Sequence, residues 1–197
     1  MTVLQDENKR LSFIFAEENE VRAYDQMFFY RSEIEREISG IKAIDFLCVD
    51  ESRHLSYFIE VKDYGILQND ASMEHKKRQK AEDLALEVAR KVLETIAGLW
   101  VASNWSDCPF EEKCFSAKVL QNTVRVVLHY ELPSDWTEAD RKLRMADLKN
   151  KLAKKLRIID TQPLVIDTRL LHNDLDSERL LGCPWTVRIA PSEEQVE

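Results

Sequence analysis

Three side chains carry chemistry in their types and spacing. Asp45 lies in the apolar stretch IKAIDFLCV (41–49) and Glu60 in the next one, LSYFIEV (55–61). Between them, Asp50-Glu51-Ser52-Arg53 has the composition of a tight turn. A hairpin turning near positions 52 and 53 sets Asp45 opposite Glu60, with Cβ atoms about 4.5 to 5.5 Å apart. Two opposed carboxylates repel when ionised, so a sheet with no counter-charge avoids this pairing. Lys62 follows Glu60 by two positions and shares its face of the strand. A divalent cation reconciles the acids, because Mg²⁺ takes one or two carboxylates together with water and phosphate oxygens. The lysine then serves to orient a water or to neutralise charge developing on a phosphate. The chemistry expected of such a trio is metal-assisted hydrolysis of a phosphate ester, with Mg²⁺ (or Mn²⁺) as cofactor.

The elements that must position these groups follow from periodicity. Charged sequence with apolar residues at helical spacing (Tyr30, Ile34, Ile38, Ile41) predicts a first helix over 16–39, ended by Gly40. The two strands of the hairpin follow, closed by Lys62-Asp63-Tyr64-Gly65. A second, long helix is predicted over about 72–102, on the stripe Ala85, Val88, Ala89, Val92, Ile96 and Leu99. Residues 104–113 read as loop and 115–132 as strand, especially Val124 to Leu128. Ser134 to Thr137 offer capping chemistry for a third helix over 138–156. Short strands are expected at 163–170 and 185–189. The order is that of one mixed α/β domain over 1–197, with a core over about 16–132 and a C-terminal helix and strands over 134–190.

Asp45 followed by Glu60-Val61-Lys62, after an acid-bearing helix, resembles the signature of the PD-(D/E)xK nuclease superfamily. FIEVKDYG and EVARKVLETIAGL are similar to segments of uncharacterised bacterial members. The resemblance covers about residues 28–102. It implies an α/β, restriction-endonuclease-like fold, a mixed central sheet flanked by helices, and Mg²⁺-dependent cleavage of phosphodiester bonds, in DNA. By that resemblance Asp45 and Glu60 are metal ligands, the Val61 carbonyl adds another, and Lys62 is the catalytic lysine. Many members add a Glu from the first helix, here Glu33 or Glu37, with Glu37 the nearer to the hairpin in sequence. Two features depart from the pattern. Ile44 stands where Pro usually precedes the Asp, and one strand, not two, separates the first helix from the ExK strand. Leu11 to Phe15 is a candidate for the other. The resemblance leaves a homodimer open.

Composition bounds the rest. The chain has 197 residues, 44% hydrophobic and 32% charged, with only 4 Gly and 5 Pro, which is a globular balance. With 28 basic and 36 acidic residues the net charge is −8, so nucleic-acid binding requires local basic patches. Two exist. His75 to Lys80 supplies Lys76, Lys77, Arg78 and Lys80 at the start of the second helix. Residues 141–157 carry eight bases against Asp147 alone. Lys91, at the edge of the second helix's stripe, is placed either to approach a phosphate or to snorkel. The four cysteines, Cys48, Cys108, Cys114 and Cys183, form no CxxC pair, which argues against zinc and for reduced thiols in a cytoplasmic protein. The polar first ten residues predict no secretory leader, and no apolar run is long enough to span a membrane. The aromatic run 27–30 and the four tryptophans read as core and interface packing.

The competing expectation, from another functional class, is a catalytically inactive module of the same fold that binds a protein partner or nucleic acid. Fold alone does not decide between them.

Overall fold

The computed structural model describes residues 1–65, 79–133, 135–173 and 182–190. Three strands, β3 (Glu20–Ala23), β4 (Phe46–Asp50) and β5 (Leu55–Asp63), form an antiparallel meander. Two more, β6 (Thr123–Glu131) and β7 (Leu164–Ile166), extend it in parallel, giving a five-stranded mixed sheet in the order β3-β4-β5-β6-β7. A separate antiparallel sheet, in the order β1-β2-β8, is built from β1 (Thr2–Gln5), β2 (Leu11–Phe15) and β8 (Trp185–Ile189). The architecture is mixed α/β.

Strand alternation assigns each face of the larger sheet its own core. Leu47, Val49, Phe58, Val126 and Leu128 face the helices. Phe46, Cys48, Tyr57, Ile59 and Val127 face the small sheet, packing with Phe13, Phe15, Trp185 and Val187. Being covered on both sides, β4 to β6 read as near-continuous apolar runs and not as alternating ones. The helical layer comprises α1 (residues 28–37), α2 (Ala81–Asn104), α3 (Phe110–Gln121) and α4 (Glu138–Leu156). A short α5 (Thr168–Asn173) lies on the opposite side, where Leu171 joins the inter-sheet cluster. Among the described residues no helix is long and apolar enough to cross a membrane.

Several sequence expectations change. The first helix does not begin at Ala16. Residues 20–23 pair with β4, Val21 beside Cys48, and a 3₁₀ turn (Tyr24–Gln26) precedes α1, whose centre, Tyr30–Glu35, is π-helical. Sheet pairing overrides helical spacing here. β3 adds a third strand to the meander but precedes α1, so one strand, β4, still separates that helix from the ExK strand, and Leu11–Phe15 belongs to the small sheet. The first hairpin strand is limited to Phe46–Asp50. Residues 110–121, expected as loop and strand, form α3: Pro109 stands at its N-cap, Glu111 and Glu112 occupy its first turn, and Phe115 and Val119 share a buried face. The strand expected over 163–170 ends at Ile166, because Asp167 accepts from Leu170 N and starts α5. α4 and β8 form over the expected residues, with Thr137 Oγ1 accepting from Asp140 N as the α4 cap. The expected start of the second helix, at 72, lies outside the described residues.

Candidate active site

The β4–β5 hairpin turns through a 3₁₀ segment at Glu51–Arg53, with His54 at a φ of 52° and the Asp50 carboxylate accepting from Arg53 N. This turn sets the register Phe46↔Ile59, which brings Asp45, one residue before the strand, level with Glu60. Asp45 Oδ2 accepts the Val61 N–H at 2.6 Å, so its carboxylate closes the end of the hairpin. Parity then separates neighbours along β5. Val61 packs toward the small sheet, while Glu60 and Lys62 stand on the helical side under α2.

There α2 contributes Lys91 and, one turn earlier, Glu87. Lys91 Nζ lies 2.6 Å from Glu60 Oε1 and 3.8 Å from Asp45 Oδ1. Lys62 Nζ lies 3.1 Å from the same Glu60 oxygen and 2.9 Å from Glu87 Oε1. Glu60 is buried, 1% exposed at its side chain, and among the described residues its Oε2 has no hydrogen-bond partner. The arrangement is held from behind. Gln79 Nε2 donates to Glu87 Oε2 at 3.1 Å, and Arg144 of α4 donates to the Gln79 carbonyl at 2.5 Å. Beside the site Arg10 donates to both Asp63 carboxylate oxygens, Nε to Oδ2 at 2.5 Å, tying the end of β5 to the β1–β2 loop.

These groups open into a cleft of about 830 Å³ between the β1–β2 loop, the segment Asp25–Gln26, the ends of β4 and β5, and α2. Its electrostatics follow from burial and crowding. Burial, then the neighbouring Glu60 charge, pushes the Asp45 carboxyl up to about 7, against the opposing pull of Lys91. For Lys62, burial opposes the charged form, but Glu60 and Glu87 outweigh it and hold the ammonium well above its ordinary value. Burial likewise opposes ionisation of Glu87, and its hydrogen bond and charge pairing with Lys62 bring it below the ordinary carboxylate range. Burial holds the Asp25 carboxyl above its usual value.

The structure thus brings together Asp45, Glu60, Val61, Lys62 and Lys91. It does not bring Glu33 or Glu37 to them. Both pair with Arg36 on α1, and neither lines the cleft. Besides Asp45 and Glu60, the acids that do are Asp6, Glu7, Asp25, Asp63 and Glu87, none of them singled out from sequence as a site residue. Glu87 was legible in principle, because it stands four residues before Lys91 and so shares its helix face. Lys91 pairs with the two acids themselves. Lys80 is exposed at the N-cap of α2, and Lys76, Lys77 and Arg78 lie outside the described residues.

Among the described residues, no three His, Cys, Asp or Glu side chains converge as a ready-made metal cage. The donor set at Asp45 and Glu60 is the sparser one that suits Mg²⁺, with two carboxylates and the remaining positions left to carbonyl, water and phosphate oxygens. The unpartnered Glu60 Oε2 fits such a ligand.

No family model and no solved structure matches the chain. Among curated proteins, a cysteine–tRNA ligase from Neisseria meningitidis serogroup A is 28% identical over an alignment 214 positions long. The alignment takes in 91% of this chain and 29% of the ligase. The chain therefore spans less than a third of the length of the relative it matches, and over that stretch a segment of a cysteine–tRNA ligase is what it is similar to.

Proposed function

We propose that the chain is a metal-dependent nuclease of restriction-endonuclease-like fold that hydrolyses phosphodiester bonds in DNA. The observation that carries the reading is the convergence of Asp45, Glu60 and Lys62 on one cleft from adjacent antiparallel strands, with α2 behind them. Asp45, Glu60 and the Val61 carbonyl would hold Mg²⁺ or Mn²⁺, which supplies Lewis-acid stabilisation for negative charge developing on the phosphate. Lys62, kept cationic by Glu60 and Glu87, orients a water toward the phosphate and balances charge as the bond breaks. Glu87 and Gln79 hold that lysine on target.

A second reading has an observation of its own. Lys62 and Lys91 already compensate the acids by ion pairing. That arrangement also suits an inactive module binding a protein partner or nucleic acid. The similarity to a piece of a tRNA ligase makes tRNA a substrate to test beside DNA.

The deciding experiment incubates the protein, Asp45→Ala and Glu60→Ala with plasmid, single-stranded DNA and tRNA in Mg²⁺ and Mn²⁺. Cleavage by the parent, abolished in both variants, supports the nuclease. Binding of a nucleic acid with no cleavage in either metal selects the inactive module.

A further inference from the structure

We infer that Lys91 is a tethered counter-ion for the Asp45–Glu60 pair, occupying their shared field in the metal-free protein and displaced when a divalent cation binds. The inference rests on the reading of that pair as metal ligands.

The two lysines at the site are not equivalent. Lys62 has a second acidic partner in Glu87, 2.9 Å away, and keeps it whatever happens at Glu60. The Lys91 ammonium makes its ion pairs with Glu60 and Asp45, the two groups a metal would require. It reaches them from α2 on a flexible four-carbon stem, with its side chain 14% exposed. A metal ion ligated by the same two carboxylates would stand only a few ångströms from that ammonium. Like charges so placed repel strongly in a partly desolvated cleft. The stem can swing without moving the helix. Asp25, an acid that lines the same cleft, is a carboxylate toward which the displaced ammonium can turn.

The ammonium is also an incomplete partner for the pair. Both lysines converge on Glu60 Oε1, leaving Oε2 buried without a hydrogen bond among the described residues. Asp45 Oδ1 stands 3.8 Å from the Lys91 ammonium, beyond hydrogen-bond distance. Two ammoniums thus serve three crowded acids, Asp45, Glu60 and Glu87, and a divalent ion answers more of that need. The cost of the exchange is the displacement of Lys91, so removing its charge tightens metal binding.

The test is calorimetric titration of the full chain with MnCl₂, comparing the parent with Lys91→Met and Lys91→Arg, each checked for folding by circular dichroism. Lys91→Met is expected to bind Mn²⁺ about tenfold more tightly or better, and Lys91→Arg close to the parent. Should Lys91→Met fail to fold, Lys91→Gln, which keeps a donor for Glu60, carries the same expectation. A folded uncharged variant with equal or weaker affinity overturns the inference while leaving the metal site standing. Absence of Mn²⁺ binding in parent and variants alike overturns the metal reading and the inference with it.

Discussion

Glu131, at the end of β6, supports the sharpest energetic prediction, and one independent of any activity. Its Oε1 accepts from Thr168 N at 2.6 Å, from the Thr168 hydroxyl, and from His129 Nε2 at 2.9 Å, all within the buried junction between β6 and α5. Burial works against the charged form, but the His129 and Thr168 donors outweigh it and hold the carboxyl at about 2, against an ordinary 4.5. A carboxyl depressed on folding contributes stability that is complete above its unfolded value and is lost as pH falls toward the folded one. At ~1.4 kcal/mol per unit, the depression corresponds to about 3 kcal/mol. Glu131→Gln preserves shape and an acceptor oxygen but removes the charge. Its fixed cost, from a buried amide N–H₂ seeking an acceptor, is independent of pH. The charge-dependent part is not. In urea unfolding series from about pH 7 down to about pH 2.5, the parent is expected to lose most of that advantage over the variant, about 2 to 3 kcal/mol and chiefly below about pH 4.5. A difference that stays constant across that range would mean that Glu131 does not act as a buried anion, and the reasoning would fall.

Three further outcomes follow from the structure. Glu87→Gln keeps a hydrogen-bond acceptor for Lys62 while removing its charge, and should slow any cleavage about 10- to 100-fold with little change in substrate affinity, read from kcat and KM. Gly98→Ala sets a Cβ against the Tyr24 hydroxyl and 3.0 Å from Ile34 Cδ1 where α2 crosses α1; overpacking should cost about 1–3 kcal/mol, seen as a lower Tm, and an unchanged Tm would refute the contact. Of the four thiols, burial raises Cys48, Cys108 and Cys183, Cys48 and Cys183 to about 12, whereas Cys114 is exposed; a thiol reagent on the native protein should titrate Cys114 fast and the others only on unfolding.

What the sequence could disclose divides along the range of the interactions involved. The hairpin register was readable because the turn and both apolar runs are local, and it sets Asp45 level with Glu60 as expected. Helix α4 was readable from its cap and its sustained stripe. Strand β3 was not: four residues, EVRA, offer one buried position, Val21, and the pairing that makes them a strand comes from β4, more than twenty residues on. Helix α3 was hidden because its apolar residues include β-branched and aromatic types and its amphipathic pattern is weak. At the site, Glu33 and Glu37 flank the apolar stripe of α1, as the helical spacing predicts, but they pair with Arg36 there and do not reach the cleft. Glu87 is readable only through the helix face it shares with Lys91, and Asp25 arrives through tertiary packing, which no local pattern encodes.

The alternation along β5 also limits how this chain can vary. Val61 is sandwiched against the small sheet while the groups on either side of it face α2. Inserting or deleting one residue there would drive a carboxylate or an ammonium toward the apolar layer between the sheets and turn the valine side chain under α2. The spacing of Glu60 and Lys62 is therefore imposed by the sheet, whatever chemistry the pair performs. Descendants of this sequence can exchange side chains at the cleft one at a time, and can lengthen the loops around it, but they cannot shift the strand by a single step.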